Sequence, residues 1–179
     1  MRKNTNIILD IDNTLVHAVH KCLQAKTIVK GNYEQYVDDN FVIYYRPNLQ
    51  KFLNYVFKYY NVAIWSAGSK EYVEYITEKV ITDYDKNRKL DFVFSWEECK
   101  DSMNIYNDTC FKNLKYIWNN DSLPVFRYYN THNTILIDDL FHTFITQQKN
   151  TIWAEYFDVT LASANSDNYL LGLIQNLPQ

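Results

Sequence analysis

Two aspartates one residue apart, Asp10 and Asp12, follow the short apolar run Ile7-Ile8-Leu9 and precede Asn13-Thr14. Carboxylates this close raise each other's cost of ionising. A hard cation such as magnesium relieves that cost, because it takes carboxylates, carbonyls and waters as ligands. A metal-held carboxylate can attack phosphorus, and a second carboxylate can protonate the leaving oxygen. The same Asp-x-Asp-x-Thr string also fits a strand that simply ends in an Asx-type turn.

Other polar residues occupy equivalent places. Ser66 follows Val62-Ala63-Ile64-Trp65 and precedes Ala67-Gly68. A hydroxyl beside the N–H groups that open a helix can cradle phosphate, or can merely start the helix. Asp138-Asp139 follows Ile135-Leu136-Ile137, where it can complete a metal's oxygen shell or cap a helix. A transferring phosphoryl group also needs a cation, since charge spreads over its oxygens. Lys112 and Lys115 both precede the third apolar run, and spacing does not choose between them.

The elements that position these residues follow from periodicity. The three apolar runs read as strands buried on both faces, as in a parallel sheet. Asp10, Ser66 and Asp138 then all fall at strand C-terminal ends, where open α/β sheets bind ligands. Leu49, Phe52, Leu53, Val56, Phe57 and Tyr60 form one helical face, with Pro47 placed to start the helix. A second helix is expected from an N-cap at Ser69 and carries Tyr72, Val73, Ile76 and Val80. Phe92-Val93-Phe94 and Thr151-Ile152-Trp153 are further strands, and residues 169–177 a closing helix. This alternation predicts a doubly wound, mainly parallel α/β domain. Residues 17–45 break it. Their alternating stretches Thr27-Ile28-Val29 and Phe41-Val42-Ile43-Tyr44-Tyr45, split by Gly31-Asn32, are expected to form a small β-hairpin flap inserted after the first strand.

Composition narrows the class. The chain has 179 residues, 47% of them hydrophobic, with 3 Gly and 3 Pro. It reads as a single domain over 1–179, burying about two-thirds of the surface its unfolded chain exposes. A net charge of -3 with scattered Lys and Arg gives no footprint for a nucleic-acid partner. Cys22, Cys99 and Cys110 form neither an even set nor a CxxC pair, which points to reduced thiols. No apolar stretch resembles a signal peptide or a membrane span, so a soluble intracellular protein is expected.

The string Leu9-Asp10-Ile11-Asp12-Asn13-Thr14-Leu15-Val16-His17 resembles the first motif of the haloacid dehalogenase superfamily. It is most similar to the small, single-domain phosphatases acting on the C-terminal domain of RNA polymerase II and related phosphoproteins. Tyr45-Arg46-Pro47 resembles that branch's "RPG" segment, and Ile64-Trp65-Ser66-Ala67-Gly68-Ser69-Lys70-Glu71-Tyr72 its second motif. Phe111-Lys112-Asn113-Leu114 resembles its lysine motif and Ile137-Asp138-Asp139 its fourth.

The resemblance implies a magnesium-dependent phosphoprotein phosphatase with Ser/Thr specificity. Asp10 would form an aspartyl-phosphate, and Asp12 would protonate the leaving group and then activate water. Ser66 and Lys112 would hold phosphate, with Thr14 supporting the first loop beside it. The metal would be met by Asp10, the Asp12 main-chain carbonyl and Asp138, with Asp139 in a softer role. The lysine motif favours Lys112 over Lys115. The chain departs from the family pattern at Asn48, which replaces the "RPG" glycine. It departs again at Leu140-Phe141, where Ser-Pro is usual, and over residues 101–112. A same-superfamily phosphatase for a nucleotide, polynucleotide end or small phosphometabolite is the first rival. A phosphopeptide-binding module without turnover is the second.

Overall fold

A computed structural model describes residues 2–24, 26–106 and 109–178. Its centre is a five-stranded parallel sheet in the order β6-β5-β1-β7-β8. The strands are β1 (Asn6–Leu9), β5 (Asn61–Trp65), β6 (Leu90–Phe94), β7 (Thr134–Asp138) and β8 (Thr151–Trp153). In β1 every residue is buried, as a central strand covered on both faces requires. Alternate side chains go to opposite layers. Ile7, Leu9, Val62, Ile64 and Ile137 pack against α2 (Leu49–Tyr59), α3 (Lys70–Ile76) and α7 (Tyr169–Asn176). Ile8, Ala63, Trp65 and Leu136 pack with Cys99, Leu114, Tyr116 and Ile117. Those four come from α4 (Trp96–Tyr106), the turn that follows it, and α5 (Lys115–Trp118). Among the described residues no helix is long and apolar enough to cross a membrane.

Ser69 caps its helix as expected, whereas the first helix begins at Leu49 behind an Asn48 N-cap and leaves Pro47 just outside it. Leu49, Phe52, Leu53, Val56 and Tyr60 are buried, and the Ser69 side chain accepts the Tyr72 N–H as an N-cap. Asn48 adopts a left-handed conformation, φ 66°, which only Gly and, less readily, Asn or Asp take without strain. Asn is thus a residue that this left-handed position accepts where the family pattern has glycine.

The insert differs from a simple hairpin flap. It is a three-stranded antiparallel sheet, β2-β4-β3, built from β2 (Val16–His20), β3 (Gln35–Val37) and β4 (Phe41–Tyr45). A short helix α1 (Lys21–Gln24) follows β2. Thr27-Ile28-Val29 is not a strand; just beyond it the Lys30 N–H donates to the Val159 carbonyl. The small sheet is packed on both faces. Ile43 and Tyr45 join the main core, while Val42 and Tyr44 pack on Phe157, Val159 and Ala164. It is thus a wedge fixed in the domain.

Candidate active site

The loop after β1 is shaped by two polar anchors. Asn13 takes a left-handed turn, φ 59°, and its side-chain amide donates to the Phe157 carbonyl at 2.9 Å. Beneath it lies Arg46, with 1% of its surface exposed. Its guanidinium forks onto Asp167 (2.8–3.1 Å) and donates to the Thr14 and Glu155 carbonyls at 3.0 and 2.8 Å. One buried cation therefore ties the first loop to the segments after β8 and before α7.

At the strand ends the expected residues converge. A cleft of about 270 Å³ is lined by Asp10, Asp12, Asn13, Ser66, Ala67, Gly68, Lys112, Asp139 and Leu140. A larger cavity, about 460 Å³ beside Asn113 and Gln147, brings two lysines together without a carboxylate, so size alone does not identify the site. The Lys112 ammonium donates to both Asp10 Oδ1 and Asp138 Oδ2 at 2.6 Å. Lys112 and Asp138 are fully buried. Burial works against the lysine's charge, but the two carboxylates outweigh it and hold the ammonium protonated. Lys115 instead starts α5 and is exposed. Thr14 is buried behind the loop and does not line the cleft.

Asp12 is oriented by two donors. Ser66 Oγ lies 3.4 Å from its Oδ2, and the Tyr72 hydroxyl donates to its Oδ1. Ser66 Oγ in turn accepts the Gly68 N–H at 3.0 Å. A Cβ at Gly68 would stand 2.7 Å from the Tyr72 ring, so the absent side chain lets that tyrosine reach Asp12. Burial raises the Asp12 carboxyl above the usual range, against the pull of Tyr72, Lys112 and Ser66. Asp10 is raised by burial and by Asp138, with Lys112 opposing. Asp139 is pushed up to about 6, by burial first and then by Asp138. Periodicity alone makes Tyr72 an apolar helix position; its place in the second motif is the signal of a polar task.

Carboxylate oxygens of Asp10, Asp138 and Asp139 lie within 4.8 Å of one another. Asp10 Oδ2 is buried with no hydrogen-bond partner. Three carboxylates share one ammonium, an excess of negative charge that fits a hard divalent cation. The Asp12 carboxylate is not in this group, being turned to Tyr72 and Ser66.

Comparison with known proteins agrees with this architecture. The chain is 33% identical over 174 residues to the putative CTD phosphatase-like protein 355R of Invertebrate iridescent virus 6, covering 94% of each. It is 27% identical over 184 residues to the protein of the same description from Invertebrate iridescent virus 3, covering 98% of this chain and 96% of that one. A ubiquitin-like domain-containing CTD phosphatase of Arabidopsis thaliana is 33% identical over 136 residues, 74% of this chain but 38% of that protein. Among solved structures, fission yeast RNA polymerase II CTD phosphatase Fcp1 bound to beryllium fluoride shares the fold. The TM-score is 0.60 at 18% identity, over 96% of this chain and 49% of that one. The chain thus spans about half the length of that structure. The family model for NLI interacting factor-like phosphatases matches residues 5–178. The chain belongs to that family, the CTD phosphatase-like branch of the haloacid dehalogenase superfamily.

Proposed function

We propose that this protein removes phosphate from phosphoserine or phosphothreonine in a protein, through an aspartyl-phosphate on Asp10. The observation that carries the reading is the pairing of unlike carboxylates at one cleft. Asp10 has one oxygen on Lys112 and the other without a partner. Asp12 is held by the Ser66 and Tyr72 hydroxyls, away from the Lys112 ammonium. Carboxylates set in different environments divide naturally into nucleophile and acid.

In the first step an Asp10 oxygen forms a bond to phosphorus while the phosphorus–oxygen bond to the substrate breaks. Asp12 gives its proton to the departing oxygen. In the second step Asp12 takes a proton from water, the water oxygen bonds to phosphorus, and the bond to Asp10 breaks. Lys112 and Ser66 hold the phosphoryl oxygens, so positioning and charge stabilisation carry most of the rate. Magnesium, held by Asp10, Asp138, Asp139 and the Asp12 carbonyl, would neutralise charge on the transferring group. A protein substrate suits the shape of the surroundings. An open groove of about 380 Å³ runs beside the cleft between Phe41, Tyr72 and Tyr75. The relatives' CTD phosphatase descriptions favour the same substrate class. The test is turnover of a phosphopeptide panel, nucleotides and 3′-phosphorylated oligonucleotides, each with magnesium and with chelator. Metal-dependent turnover confined to the peptides supports the proposal; a preference for nucleotides or oligonucleotide ends overturns it.

A further inference from the structure

Helix α6 (Phe141–Thr146) is inverted relative to an ordinary surface helix. Its one fully buried residue is Thr143, at 1% exposure, while Phe141 and Ile145 are 51% and 50% exposed. Residues four apart share a helix face, so these two apolar side chains stand together toward solvent. Trp153, at the end of β8, is 51% exposed beside Phe141. Its ring meets Phe141 edge-on at 4.9 Å and stacks with Phe144 at 6.1 Å. Apolar groups gathered outward in this way mark a contact surface.

The shelf is joined rigidly to the cleft. The Trp153 indole N–H donates to the Asp139 carbonyl at 2.9 Å. The Leu140 N–H donates to Asp138 Oδ1 at 2.8 Å, and Leu140 lines the cleft with Asp10, Asp12 and Lys112. One chain turn therefore carries an acidic wall on one side and the aromatic shelf on the other. We propose that this shelf, Leu140, Phe141, Ile145 and Trp153, seats an aromatic side chain of the substrate polypeptide close to its phosphorylated residue. The proposal rests on the protein-phosphatase reading above.

Continuity identifies the occupant. With the phosphate beside Lys112, the substrate main chain leaves the cleft at its mouth, and Asp139-Leu140 is one rim of that mouth. Phe141 follows Leu140 directly and meets Trp153, so the shelf adjoins that rim. Rings presented edge-on and stacked favour an aromatic partner over an aliphatic one. A second copy of the chain is the other candidate occupant. A stable dimer buries about 800 Å² per partner, whereas these half-exposed side chains offer on the order of 400 Å².

The experiment compares phosphoserine peptides that differ only in Tyr or Gly at each of the three positions on either side of the phosphoserine. Wild type is expected to favour Tyr at one or more positions by about tenfold in kcat/KM, the scale of one aromatic contact. The Phe141→Ser/Ile145→Ser double variant, matched to wild type in thermal melting, is expected to lose that preference. Phe141→Ser alone serves if the double variant melts early. No Tyr preference in wild type, or full preference in the variant, overturns the shelf and leaves the phosphatase reading standing. Turnover of 4-nitrophenyl phosphate without turnover of any phosphopeptide overturns the protein-phosphatase reading, and the shelf with it. A wild-type dimer that dissociates in the variant assigns the surface to a second copy and likewise overturns the proposal.

Discussion

The Tyr72 hydroxyl donates a hydrogen bond to the Asp12 carboxylate, and Tyr72 can do so because Gly68 leaves room for its ring. Hydrogen bonds to a charged group are worth about 1.5–3 kcal/mol, which corresponds to roughly ten- to a hundredfold in rate. Tyr72→Phe is expected to lower kcat on an aryl phosphate by that factor while barely shifting the melting temperature. An unchanged kcat would show that Ser66 alone orients Asp12.

The lysine choice is tested by a pair of variants. Lys112 is buried between Asp10 and Asp138, whereas Lys115 is exposed at the start of α5. Lys112→Ala is expected to cripple turnover and Lys115→Ala to leave it close to wild type. Equal effects would remove Lys112 from its assigned place.

Arg46 supports the site from below. Breaking a buried ion pair by removing one partner costs about 3–5 kcal/mol, because the other charge is left uncompensated. Arg46→Ala is therefore expected to lower denaturant-unfolding stability by that amount. Arg46→Lys should recover only part of it, since an ammonium cannot reproduce the fork onto Asp167 and two carbonyls. A loss under about 1 kcal/mol, in the range of a surface ion pair, would contradict the role.

The aromatics of the insert divide into two kinds. Tyr44 is buried against Val42 and Phe157, and Tyr33 packs edge-on against both Tyr44 and Phe157. Phe41, by contrast, lines the open groove beside Tyr72. Tyr44→Ala is expected to destabilise the fold by about 3–5 kcal/mol, as for other large aromatic truncations. Phe41→Ala should fold and lose phosphopeptide turnover more than aryl phosphate turnover. Equal losses on the two substrates would leave the insert as scaffolding.

These contrasts show what a sequence exposes. Strands β1, β5 and β7 were legible because each is a short, largely buried apolar run, and the acids were legible because they end two of those runs. Tyr72 was hidden, since helical periodicity registers its ring and not the direction of its hydroxyl. The Arg46–Asp167 pair spans 121 positions, a separation that no local pattern reports. Alternation predicts one hairpin in the insert because it locates strands without their partners. Only the register of β4 between β2 and β3 makes it a three-stranded sheet. Helix α6 evaded the reading for a related reason: its exposed apolar residues face away from the core that periodicity assumes.

The central claim is that phosphate passes through a covalent bond to Asp10, and it can be seen directly. Asp12→Asn should retain attack on 4-nitrophenyl phosphate, whose leaving group departs without a proton, but should stall at hydrolysis. Overall turnover is expected to fall about 10²–10⁴-fold, the scale of a lost general acid–base. Acid-quenched protein, digested and mapped by mass spectrometry, is predicted to carry a hydroxylamine-labile phosphate on Asp10. Asp10→Asn should carry none and should not turn over. Phosphate found on another residue, or near-normal turnover by Asp10→Asn, would contradict the account.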